Sequence, residues 1–159
     1  MAPMSDAEAR ITGCTCDRLR KLARRLTQRY DAFLAPTGLR LTQFSLLAHL
    51  MHGGPATMSA LAELLEMDRT TLTRNLKPLA DAGLVALDAG RDARERVVSV
   101  SDQGRTVWRA ARQHWRRAQD EVNQVLGVEQ VIALHGVLDG SLETLRNRTR
   151  GRAAARKRA

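Results

Sequence analysis

Residues 59–84 constrain the chain more than any other stretch, because two short amphipathic patterns meet there across a tight break. In the first, Leu61, Ala62, Leu64 and Leu65 recur at helical spacing. In the second, Leu72, Leu76 and Leu79 fall at i, i+4 and i+7. Asp68 precedes the second pattern, where a carboxylate caps orphan N–H groups and complements the helix dipole. Gly83 follows it, as a left-handed C-terminal glycine would. Such a pair folds into a helical hairpin with one buried side.

The other side of the second helix carries Arg69, Thr70, Thr71, Thr73, Arg74 and Lys77, with Asn75 close by. Short hydroxyls and long cations near a helix start are what a DNA recognition helix presents to base edges. An ordinary solvated helix face has a similar composition, so the neighbouring segments decide between the two.

The segment after Gly83 changes period. Residues 84–87 and 96–100 are short β-prone runs, and the polar stretch 88–95 between them is turn-rich. This predicts a β-hairpin directly after the helical pair, which is a wing. Arg91, Arg94 and Arg96 at or beside its tip have the reach for a minor groove or for phosphates.

Charge agrees with a polyanionic partner. Lys and Arg number 26 against 17 acids, for a formal net charge of +9 and a pI near 11.1. Aromatics make up only 3% of the chain, which argues against a base-stacking platform. No apolar run reaches the length of a membrane span, and Met1–Arg10 lacks a signal-peptide core, so a cytoplasmic protein is expected.

The flanks read as long helices. From about Ile11, Leu19, Leu22, Leu26, Tyr30, Phe33 and Leu34 recur at three- and four-residue steps, opposite Arg18, Arg20, Lys21, Arg24, Arg25 and Arg29. The segment Pro36-Thr37-Gly38 ends that helix, and Thr42 is the expected N-cap of a buried spacer helix carrying Phe44, Leu46, Leu47, Leu50 and Met51. Ser101 is expected to cap a helix from about Asp102 to Leu126, with Gly127 before a last helix from Val128. Val131, Leu134, Leu138, Leu142 and Leu145 give that last helix a heptad-like pattern. The expected fold is mainly α with a small β-hairpin wing. Residues 1–36 form an arm and dimerisation helix, 37–100 the winged helix-turn-helix, 101–145 C-terminal dimerisation helices and 146–159 a basic tail.

In this order the elements resemble the MarR family of bacterial transcriptional regulators. The resemblance rests on Leu61-Ala62 with Leu64, on Asp68-Arg69-Thr70-Thr71-Leu72-Thr73-Arg74, and on Leu79 with Gly83-Leu84-Val85. It rests also on Asp92-Ala93-Arg94 followed by Val98-Ser99-Val100-Ser101 and Gly104, and it spans about residues 19–145. It implies a homodimer on a pseudo-palindromic double-stranded operator, usually a repressor, released by small aromatic acids, oxidants or metals. It implies Arg94 in the minor groove and Thr70, Thr71, Thr73 and Arg74 toward the major groove. The chain departs from the pattern in two places. Pro78 lies inside the recognition helix, where a bend is expected, and Ala93 stands where a second arginine is frequent.

Effector residues are less constrained. Cys14 and Cys16 sit near the start of the first helix, where Arg18 and the helix N-terminus favour a thiolate. At i, i+2 they point to different faces, which makes a bridge to a partner subunit easier than one between them, and a redox switch competes with simple packing. Tyr30, His49, Trp108 and Arg112 are the candidate lining of a small-molecule pocket. The four histidines offer no metal-ligand spacing beyond His49-x-x-His52, and no nucleophile triad or phosphate loop is present. An enzyme, a resident cofactor and a metal site are therefore not expected. The rival reading is a non-specific architectural DNA binder.

Overall fold

The computed structural model describes residues 13–90 and 95–156, the side chains being described as far as residue 148. Its elements run α1 (Thr15–Leu34), α2 (Leu41–Gly53), β1 (Ala56–Thr57), α3 (Met58–Leu64), α4 (Arg69–Asp81), β2 (Val85–Ala89), β3 (Arg96–Val100), α5 (Asp102–Leu126) and α6 (Val128–Arg156). The mainly α architecture with a small antiparallel sheet is the expected one. The chain divides into two compact units, residues 1–118 and 119–159.

In the first unit the core gathers leucines from α1 to α4, with Trp108 and Ala111 from α5. Leu34, Leu46, Leu47, Leu61, Leu72, Leu76, Leu79 and Val98 are fully buried. Phe44 lies between two indoles of α5, 6.0 Å from Trp108 and 5.9 Å from Trp115, with nearly parallel planes. Burying each of these side chains contributes about 2 kcal/mol. The three leucines of α4 that were spaced at four and three residues therefore seat the helix on the core by one stripe.

The strands form a sheet in the order β1-β3-β2. Val85 pairs with Val100 and Ala89 with Arg96 in the hairpin, while Ala56 and Thr57 pair with Val98 and Val97. The short link before α3 is thus an edge strand. Thr57 ends it and caps α3, its hydroxyl accepting from the Ala60 N–H at 3.1 Å.

Three local expectations need correction. The first helix starts at Thr15, and Ile11 lies outside the described residues. The spacer helix starts at Leu41 with Arg40 as N-cap, so Thr42 does not cap it. Two other side chains take the orphan N–H groups: Asp31 Oδ1 accepts from Leu41 at 2.7 Å, and Gln43 Oε1 accepts from Arg40 at 2.8 Å. Leu64, assigned to a buried face, is 58% exposed, because α3 ends there and the chain turns.

The second unit holds the end of α5, the break at Gly127 (φ +83°) and α6. Val122 and Val131 are buried, whereas Val125, Val128, Ile132, Val137, Leu142 and Leu145 are exposed.

Candidate nucleic-acid interface

The turn between α3 and α4 is built by two devices. Glu66 adopts a left-handed conformation (φ +51°), which reverses the chain after Leu65. The Met67 N–H then donates to the Ala62 carbonyl at 2.9 Å. Asp68 next closes the first turn of α4 with two bonds from one residue. Its Oδ1 accepts from the Thr71 N–H at 2.8 Å and its Oδ2 from the Thr71 hydroxyl at 2.7 Å. These bonds, the hydroxyl first, hold the Asp68 carboxyl below the ordinary carboxylate range.

Along α4 the outward residues divide by what their polar atoms do. Arg69, Thr70 and Arg74 are exposed near the helix start. Thr71 is half-buried and engaged in the cap. The Thr73 hydroxyl donates back to the Arg69 carbonyl at 2.8 Å. Lys77 is exposed and paired with Asp81 at 2.7 Å. Asn75 is half-buried, its amide 3.8 Å from the Met67 sulfur, so it braces the turn. The helix is continuous through Pro78.

Beside α4 stands the hairpin. Arg96 is exposed at the end of β3, while Arg91 and Arg94 lie outside the described residues, as do Asp92 and Ala93.

A latch ties the exit of α4 to the start of α5. The Ser101 hydroxyl donates to the Gly83 carbonyl at 2.6 Å and accepts from the Gly104 N–H at 3.0 Å. The Ser101 N–H donates to the Leu84 carbonyl at 3.1 Å. Gly104 packs so closely that a Cβ there would lie 2.0 Å from the Leu84 oxygen. Sequence reading found Ser101 as a cap but missed this second role; Gly83 and Gly104 were the available signal.

The effector residues are dispersed. Cys14 and Cys16 are exposed at the start of α1. Trp108 is buried, with the Arg112 guanidinium 5.9 Å over its ring. Tyr30 is buried 6.5 Å from Trp115, and that burial pushes its hydroxyl pKa up. His49 lines a shallow concavity of about 360 Å³ with Ala48, His52, Gly53 and Leu64. Among the described residues no three His, Cys, Asp or Glu side chains gather in a metal-binding group, and no single helix is long and apolar enough to cross a membrane.

A helix pair with one capped, outward-facing cationic helix and a hairpin at its exit defines the winged helix-turn-helix class. Residues 37–95 match the sequence profile of the MarR family. The *M. tuberculosis* transcriptional regulator MosR, solved in complex with DNA, is 40% identical with a TM-score of 0.69, over 82% of this chain and 98% of that one. This chain belongs to the MarR family of transcriptional regulators. *E. coli* MarR, solved as a cysteine-to-serine variant with operator DNA, shares the fold at 21% identity and a TM-score of 0.72, over 79% and 91% of the two chains. An uncharacterised helix-turn-helix regulator of *Bacillus subtilis*, YwoH, is 32% identical over 81 residues, which are 51% of this chain and 59% of that protein.

Proposed function

We propose that this chain is a cytoplasmic, sequence-specific DNA-binding repressor that acts as a homodimer on a pseudo-palindromic operator. The observation that carries the reading is α4: Leu72, Leu76 and Leu79 seat one side, and the exposed Arg69, Thr70 and Arg74 occupy the other near a capped N-terminus. A net charge of +9 and a DNA-bound relative at 40% identity support it.

In this mechanism phosphates attract the basic protein first, and groove contacts then select the site. Arg69, Thr70 and Arg74 read bases. Thr71, Thr73 and Asn75 hold the helix that presents them. Lys77 reaches a phosphate by exchanging it for Asp81, and Arg91, Arg94 and Arg96 serve the wing. The two recognition helices of a dimer must stand about 34–36 Å apart to enter successive major grooves. The Ser101–Gly104 latch passes a change in the α5 direction to the exit of α4, so an effector that turns α5 releases the operator. Exposure of Cys14 and Cys16 supports thiol oxidation as one such signal. A small aromatic acid beside Trp108 and Arg112 is the other.

Selection from a random duplex library tests the reading. An enriched inverted repeat with half-sites one helical turn apart, bound about a thousandfold or more above random DNA, is the expected result. Recovery of no motif, with a steep salt slope, would instead make the protein an architectural DNA binder.

A further inference from the structure

Helix α4 ends on a charge that its surroundings disfavour. Thr70, Arg74, Lys77 and Asp81 follow one another at four-, three- and four-residue steps, so they line one side of the helix, and all four are exposed. Asp81 is the one acid among the thirteen residues of α4, and it is the last of them. The C-terminal end of a helix carries the negative pole of the dipole, which favours a cation and disfavours a carboxylate. The same carboxylate lies on the side that α4 offers to a polyanion, where it repels phosphates. Helix stability and DNA attraction therefore both select against an acid here.

What Asp81 does in the free protein is hold Lys77. Its Oδ2 accepts from the Lys77 ammonium at 2.7 Å, and the two side chains are 62% and 72% exposed. An exposed pair at this spacing is worth only about a factor of two, and the order with the lysine N-terminal to the acid is the weaker one. The pair is thus too weak to be there for folding, but it is closed before DNA arrives. Among the described residues Lys77 is the one cation of α4 held in an ion pair, while Arg69 and Arg74 stay available.

We propose that Asp81 is a brake on DNA affinity: it occupies Lys77 in the free protein, and Lys77 reaches a phosphate only by leaving it. This rests on the reading of α4 as the DNA-facing helix and adds to it the residue that sets how tightly any duplex is held. Phosphate contacts strengthen binding to all sequences and carry no sequence information. An acid that weakens one of them leaves a larger share of the affinity to the base contacts of Arg69, Thr70 and Arg74, and it shortens the time spent on random DNA.

Fluorescence anisotropy of a random-sequence duplex, titrated with full-length protein across a salt series, tests the brake without knowledge of the operator. Asp81→Asn should tighten binding about fourfold or more, because a dimer frees two lysines at about twofold each, and it should steepen the salt dependence. Asp81→Glu keeps both the charge and the pairing and should restore the wild-type affinity. In a Lys77→Gln background Asp81→Asn should gain much less, since no lysine remains to be freed. The thermal midpoint of Asp81→Asn should equal or exceed that of wild type, an outcome that loss of a structural contact would not give. Unchanged affinity and salt dependence for Asp81→Asn would overturn the proposal, as would an Asp81→Glu variant that tightens as much as Asp81→Asn. An equal gain without Lys77 would show direct repulsion of phosphate and overturn the exchange. Wild-type protein that binds no duplex at all would instead overturn the DNA-binding reading of α4 itself.

Discussion

Helices α4 and α6 follow opposite rules. In α4 the apolar residues Leu72, Leu76 and Leu79 are all at most 2% exposed, so the helix is finished within its own chain. In α6, among the residues whose side chains are described, only Val131 is buried, and Ile132, Val137 and Leu145 are each more than 60% exposed. Leaving such side chains in water forgoes about 2 kcal/mol apiece, which a second surface can recover. The contrast separates what the chain folds around from what it presents.

Substitution can break that contrast, and the largest effect lies where two elements touch through glycine. Gly104→Ala places a methyl group 2.0 Å from the Leu84 carbonyl oxygen, a backbone atom that cannot swing away. It should cost about 3 kcal/mol or more and loosen the α4–α5 latch, read as a drop in thermal midpoint. Next comes Leu76→Ala, which leaves a cavity in the core and should cost about 3 kcal/mol. Leu142→Ala, at a position 42% exposed, should leave the melt of dilute protein within about 0.5 kcal/mol of wild type. A large loss there at concentrations where the protein is monomeric would show that α6 is finished within its own chain after all.

The same contrast explains what could be read from sequence. The α4 stripe was legible because burial on one side imposes a 3.6-residue period, and the hairpin was legible because its runs are short and β-branched. Leu64 was misread because periodicity does not announce where a helix stops. The stop is set by Glu66 in a left-handed conformation, and no glycine marks it. The cap of α2 was misread because a helix start was sought locally. Asp31 supplies the cap from ten residues away, on another helix. At the interface, residue types identified the outward face of α4, but not the division of labour along it. That Thr71 is spent on Asp68, and Asn75 on the turn, depends on side-chain directions that no spacing rule gives.

That division makes a smaller and more specific prediction. Arg74→Ala should reduce operator affinity by about 2 kcal/mol while changing affinity for random DNA much less, because base contacts carry specificity. Arg94→Ala should weaken binding to both, with a shallower salt slope. Asn75→Ala should act through the turn and lower the melting temperature along with affinity. Equal losses on operator and random DNA for Arg74→Ala would reassign that residue to phosphate contact.

The smallest effect concerns the cap and is read by pH. Asp68 has a lowered pKa because the Thr71 hydroxyl and N–H bond to its ionised form. A carboxyl with a depressed folded pKa adds stability above its unfolded value, and that stability is lost as pH falls through the folded one. Asp68→Asn keeps an oxygen acceptor for the Thr71 N–H but does not titrate, and asparagine is a good N-cap. At pH 7 the variant should therefore melt a little below wild type, by what the ionised carboxylate adds. Below about pH 5 its midpoint should fall less steeply, so that the two curves converge. Thr71→Val should remove the hydroxyl bond, the largest cause of the shift, and flatten the wild-type acid limb in the same direction. Parallel curves for Asp68→Asn and wild type down to pH 3 would mean that the charge of Asp68 contributes nothing measurable to folding. The cap would then act through its hydrogen bonds alone.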